Sequence, residues 1–204
     1  MPLVTTIKTS PSNPSTTIYI LHITETASEL LSLLPRHQDR YTKQLQAFSS
    51  ENRKKEWLAI RILLHHIAGQ QDLIQYDEYG KPSLGEGAPQ LSISHTKAYA
   101  ALALSASPIG IDIERWSHRA FRLHSKFLNN SEYSALGHDP QRMALIFWSL
   151  KEAAYKLLQN KEHTLIKDVS INTEADHFLL VLDKEEARGY YKDMGDFVLT
   201  WAMK

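Results

Sequence analysis

The sequence predicts an α+β protein, with helices and short strands grouped in successive runs rather than in regular alternation. Three observations carry this. Stretches with helical spacing of apolar residues lie at about 27–34, 38–48, 50–69 and 140–159. Short apolar or alternating runs follow the helices in both parts of the chain, as expected of strands. Finally, Ser105–Pro108 is a polar turn between two apolar strands, the best internal boundary. It divides the chain into an N-terminal half, 1–105, and a C-terminal half, 106–204.

The elements follow in order. Residues 8–16 are polar and proline-bearing and read as a loop. Thr17–Ile23 reads as a strand and Ala27–Leu34 as a helix interrupted at Pro35, followed by a polar helix over Gln38–Phe48. The strongest helix of this half starts near Ser50, which offers a cap. It buries Trp57, Ile60, Leu64 and Ile67, with Gly69 as a stop. Residues 77–89 contain three glycines and two prolines and are expected to be irregular. LSISH and AYAALALS are two strands joined through Thr96–Lys97. IGIDIE alternates strictly, as a strand does. A helix is expected over His118–Phe127 and another over Pro140–Gln159. The strands Val169–Asn172, Phe178–Leu182, Gly189–Lys192 and Phe197–Met203 close the chain.

Lys plus Arg equals Asp plus Glu at 23 each among 204 residues, so no global field draws nucleic acid or membrane. Any polyanion site must be a local basic cluster. The chain has no cysteine, which excludes disulfides, thiolate metal sites and a cysteine nucleophile. The N-terminus lacks a signal-peptide pattern, and no apolar run approaches the roughly 20 residues that span a bilayer. A cytoplasmic protein without nucleic-acid or membrane partners is expected.

Asp112 and Glu114 project from one face of the GIDIE strand, while Ile111 and Ile113 point to the other. Side by side, two carboxylates repel unless a cation lies between them or one stays protonated. An isolated Asp-x-Glu is more often a solvated strand face. In WSLKEAAYK, Glu152 and Lys156 stand four apart on a helix, opposite the stripe Phe147, Leu150, Ala154 and Leu157; taken singly they read as a surface ion pair. Gly80-Lys81-Pro82 fixes an irregular backbone around a lysine, and Ser94 and His95 end a strand. Together the pieces say more. Asp112, Glu114 and Glu152 form an oxygen-only set suited to Mg²⁺ with substrate phosphates and water. Lys81, His95 and Lys156 supply positive groups for phosphate oxygens. The residues alone reach metal-assisted chemistry on a phosphate or pyrophosphate.

PIGIDIE and FWSLKEAAYK, about 30 residues apart, resemble the two signature motifs of the 4′-phosphopantetheinyl transferase superfamily. YGKP and ISHT upstream resemble its further motifs, in the expected order. The resemblance runs from about residue 50 to 160, and the full half before GIDIE makes it similar to the Sfp-type, pseudodimeric branch. It implies two similar α+β halves related by pseudo-twofold symmetry, each with a small antiparallel sheet and packed helices. It also implies an Mg²⁺-dependent, monomeric enzyme that moves the phosphopantetheine arm of coenzyme A to a serine of an apo acyl or peptidyl carrier protein. By the same resemblance Asp112 and Glu114 hold the metal and Glu152 is a third ligand, the general base, or both in succession. Lys156 steadies the phosphates, and Lys81, Ser94 and His95 lie at the nucleotide end.

One departure concerns the 3′-phosphate. The family's arginine near the start of the long N-terminal helix has no fixed register here, because Glu56 falls close to its expected place. Arg53 or Arg61 is the expected substitute. Phe121, Phe127 and Tyr133 are available to pack a carrier helix, although Phe127 suits the core better. Two other functions fit the carboxylates: a metal-dependent phosphohydrolase, and a coenzyme A or carrier-binding module without catalysis. The ordered motifs favour the transferase over both.

Overall fold

The computed structural model describes residues 4–9, 16–68, 74–158 and 168–204. Period-two patterning in the strands decides the architecture. In strand β2 (Thr17–His22) and strand β6 (Tyr99–Ser105), Leu21, Ala100 and Leu102 face one way and Ile18, Ile20, Ala101 and Ala103 the other. The first set packs under three helices, α1 (Ala27–Ser32), α2 (Gln38–Leu45) and α3 (Glu51–Ala68). The second set meets Ile109, Ile111 and Ile113 of strand β7 (Ile109–Arg115) and Phe197, Leu199 and Trp201 of strand β11 (Phe197–Met203). The far face of that second sheet, with Val198 and Ala202, packs under α6 (Pro140–Leu158). The layers therefore run helix, sheet, sheet, helix, and two α+β halves bury their inner sheet faces against each other.

The N-terminal sheet has the order β1-β2-β6-β5, with β1 Val4–Lys8 and β5 Gln90–Thr96. The C-terminal sheet has the order β7-β11-β10-β9-β8, with β8 Ser170–Thr173, β9 Phe178–Leu182 and β10 Glu185–Asp193. In each half the strand that precedes the helices pairs antiparallel with the last strand, β2 with β6 and β7 with β11, and the next-to-last strand lies beyond it. The same three-strand order thus occurs twice.

Several elements differ from the sequence expectation. β1 is an extra edge strand whose Thr5 and Thr6 are exposed, so it carries little apolar pattern. The glycine-rich stretch holds a small hairpin, β3 (Gln75–Tyr76) with β4 (Pro82–Ser83). The helix expected over His118–Phe127 is only α4 (Arg119–Arg122) and a 3₁₀ turn at His124–Lys126; the His118 side chain accepts no capping hydrogen bond. A further short helix, α5 (Asn130–Ser134), is started by a capping box between Asn129 and Glu132. Gly69 and Gln159, expected at helix ends, lie outside the described residues. Among the described residues no helix is long and apolar enough to cross a membrane.

Gly110 sets the distance between β7 and α6. A Cβ there would lie 1.9 Å from the Ala153 carbonyl oxygen and 2.8 Å from the Leu157 nitrogen, both backbone atoms that cannot turn aside. Gly110→Ala is expected to cost about 3 kcal/mol by forced separation of helix and strand. A chemical-denaturation midpoint within error of wild type would contradict this close-packing role.

Candidate active site

A cleft of about 390 Å³ opens where the two halves meet, between α3, the β3–β4 turn and β5 on one side and β7 and α6 on the other. The structure brings Arg53, Arg61, Lys81, Ser94, His95, Asp112, Glu114, Glu152 and Lys156 together on its walls. Residues spread over a hundred positions of chain meet here because two edge strands approach. β5 ends the N-terminal sheet and β7 ends the C-terminal one.

Serine side chains join these edges. The outer N–H groups of β7 have no strand partner on this side; Ile111 donates to Ser92 Oγ at 3.0 Å and Ile113 donates to Ser94 Oγ at 3.2 Å. Ser94 Oγ in turn donates to Asp112 Oδ1 at 2.7 Å. Lys156 Nζ reaches the same oxygen at 2.9 Å and the Ile111 carbonyl at 3.0 Å. The other oxygen, Oδ2, accepts from Ser149 Oγ at 2.9 Å, and Ser149 is bonded to Thr200 Oγ1 at 2.8 Å. Asp112 is 6% exposed and Ser149 and Thr200 are fully buried, so this carboxylate has one orientation.

Glu114, two residues on, points to the same side and accepts from the Trp148 indole N–H at 3.1 Å. Burial first, and then the charges of Asp112 and Glu152, push its pKa up to about 7, against the Trp148 bond and Lys156. Glu152 is raised by burial and by Asp112, with Lys156 opposing. Three carboxylates thus share one half-buried cleft, where the charge of Asp112 disfavours that of Glu114 and of Glu152. Hard oxygen donors carrying excess negative charge suit Mg²⁺. Yet among the described residues no group of three or more His, Asp or Glu side chains stands in a geometry that could hold a metal ion. The donor chemistry fits a divalent cation, while the ligand cage is not preformed.

The other end of the cleft is basic on one wall. Arg53 Nη1 contacts His95 Nε2, and His95 Nδ1 lies 3.2 Å from Glu56 Oε2. Burial lowers the His95 pKa, Glu56 opposes, and Arg53 and Lys156 lower it further. Burial thus disfavours the positive charge expected of His95, and its Nδ1 faces the Glu56 carboxylate. Arg61 is 5% exposed, donates to the Trp57 carbonyl at 3.0 Å and lies 3.2 Å over the Trp57 ring. Burial lowers its pKa, with Tyr76 opposing. Of the two arginines expected at this end, Arg53 has the half-exposed, movable guanidinium and Arg61 the fixed one. Lys81 is placed by a turn in which Asp77 Oδ1 accepts from the Tyr79 and Lys81 N–H groups, both at 2.9 Å, and Gly80 takes φ +80°.

Sequence reasoning missed Ser92, Ser149, Thr200, Trp148 and Glu56 as cleft-building groups. Ser149 was legible in part: it lies three before Glu152 and seven before Lys156, on one helical face. It also passed over Lys151, which is fully buried and donates to Glu132 Oε2 at 2.9 Å and to the Phe127 and Val169 carbonyls. Glu132 also accepts from Ile171 N–H, so the buried pair is fully satisfied and ties α6 to the 127–132 segment and to β8. Phe127 is buried edge-on to Trp148, as its core reading required, and Tyr133 is exposed.

Residues 108–202 match the sequence model of the 4′-phosphopantetheinyl transferase superfamily. A phosphopantetheinyl transferase, gsp, of Aneurinibacillus migulanus is 30% identical over 97 residues, 46% of this chain and 40% of the relative. The transferase Sfp of Bacillus subtilis is 33% identical over 84 residues, 39% of this chain and 38% of Sfp. The matches span about two fifths of the length of these curated relatives. A solved holo-[acyl-carrier-protein] synthase of Helicobacter pylori, in complex with coenzyme A, is 22% identical, with a TM-score of 0.40 over 47% of this chain and 97% of that one. The matched segment begins one residue before β7 and runs to Ala202, one residue short of the end of β11, so it carries the Asp112, Glu114, Glu152 and Lys156 wall of the cleft.

The raised Glu114 pKa makes stability depend on pH. Between its ordinary value of 4.5 and about 7, the folded chain keeps a proton that the unfolded chain releases. Unfolding free energy then falls as pH rises through this window and stays lower above it. Glu114→Gln is expected to raise the melting temperature by roughly 3–6 °C at pH 8, with the gain gone near pH 4. A pH-independent difference would contradict the burial of this charge.

Proposed function

We propose that this chain is a phosphopantetheinyl transferase that moves the phosphopantetheine arm of coenzyme A to a serine of an apo acyl or peptidyl carrier protein. The observation that carries the reading is the convergence of every motif-derived residue on one cleft, with the transferase-family segment forming its acidic wall. The two halves, 1–105 and 106–204, build this cleft within one chain, which supports a monomer, and we assign the protein to the cytoplasm.

In this reading coenzyme A lies with its nucleotide against Lys81, His95 and Arg53 and its pyrophosphate at Asp112, Glu114 and Glu152. Mg²⁺, held there by these carboxylates, would neutralise phosphate charge and polarise the phosphoryl oxygens. Arg53 has the reach to leave Glu56 and His95 for the 3′-phosphate. Glu152, its basicity raised by burial and by Asp112, takes the proton of the carrier serine. The serine oxygen bonds to the β-phosphorus, the bond from that phosphorus to the bridging oxygen breaks, and 3′,5′-ADP leaves. Lys156, on the same wall as the three carboxylates, steadies the charge of the reacting phosphates. The rate comes from position and charge, which a half-buried cleft strengthens.

Purified protein with Mg²⁺, coenzyme A and an apo carrier is expected to add one phosphopantetheine per carrier by intact mass. Glu152→Gln and Asp112→Asn should each lower the rate about 100-fold or more. Unmodified carriers across acyl and peptidyl types would sink the assignment, and phosphate release from simple esters without a carrier would favour a hydrolase.

A further inference from the structure

Asp112 is served by two kinds of donor. Ser94 and Ser149 are buried hydroxyls fixed from β5 and α6, and Ser149 is backed by Thr200. They cannot leave without exposing unpaired buried polar groups. Lys156 differs: its side chain is 29% exposed, it stands on a flexible stem, and with Ser94 it fills both acceptor sites of Oδ1. The ammonium is a compact positive charge on an oxygen that the functional reading assigns to a divalent cation.

Glu114 is likewise engaged, by the indole of Trp148. These contacts give a physical reason why the three carboxylates do not stand as a ready cage. We propose that Lys156 holds the cation's place on Asp112 in the substrate-free protein and is exchanged for the divalent cation when a pyrophosphate group enters. The incoming phosphate oxygens give the ammonium a new partner, and Asp112 keeps its orientation through Ser94 and Ser149. Metal and phosphate substrate then enter together, and the free protein holds Mg²⁺ weakly. This rests on the metal reading of Asp112, Glu114 and Glu152 above.

The test is calorimetric titration of Mg²⁺ alone into wild type, Lys156→Met, Lys156→Gln and Lys156→Arg, each checked for an unchanged melting profile. Lys156→Met and Lys156→Gln are expected to bind Mg²⁺ about tenfold more tightly than wild type. Lys156→Arg keeps a cation on Asp112 and should stay as weak as wild type. Adding Asp112→Asn to Lys156→Met should abolish the gain. Coenzyme A should raise the Mg²⁺ affinity of wild type by a larger factor than that of Lys156→Met, whose Asp112 is already free of the ammonium. Equal Mg²⁺ affinity in wild type and the two neutral variants would overturn the exchange while leaving transfer to a carrier, measured separately by mass, untouched. Absence of Mg²⁺ binding in every protein, even with coenzyme A present, would overturn both.

Discussion

The hydrogen bond from Ser94 to Asp112 joins the two halves at the point where the cleft opens. Ser94 belongs to the edge strand of one sheet and Asp112 to the edge strand of the other. The same hydroxyl accepts from the Ile113 N–H, so it closes the open side of β7 and aims the carboxylate in one step. A buried carboxylate without partners would give up its charge. Here two serines and a lysine bond both oxygens of Asp112. The remaining geometry of the acidic wall follows from that anchored strand.

What lies behind β7 matters as much. Three isoleucines on its inner face seal the sheet–sheet core, leaving Gly110, Asp112 and Glu114 to face α6. Because residue 110 has no side chain, α6 sits close enough for Ser149 and Lys156 to reach Asp112. Lys151, pointing elsewhere on the same helix, fixes its back to Glu132 and two carbonyls. Apolar packing thus sets the separation of the walls, and buried polar bonds set the direction of the few side chains that do chemistry.

The period of the sequence made much of this legible. IGIDIE alternates, so the inward isoleucines and the paired carboxylates could be assigned before any coordinates, and the long helices α3 and α6 followed from their apolar spacing. Local pattern could not show partners from other elements. Ser92 read as an ordinary strand serine, and Ser94 as a ligand-facing one, until β5 lies beside β7 and both bond its edge. Glu56 stood out only for falling near the place expected of an arginine; the fold sets it 3.2 Å from His95, where it opposes the burial that disfavours that histidine's positive charge. The broken helix after His118 was missed for a related reason: an uncapped run of basic residues has helical composition but little buried face to hold it.

The claim that Ser94 and Asp112 act as one unit across the halves is most directly tested by a double-mutant cycle on coenzyme A binding in the presence of Mg²⁺. Ser94→Ala and Asp112→Asn are each expected to weaken binding by about tenfold or more, with the double variant no weaker than Asp112→Asn alone. Losses that simply add would show that the two residues act independently and would contradict the account.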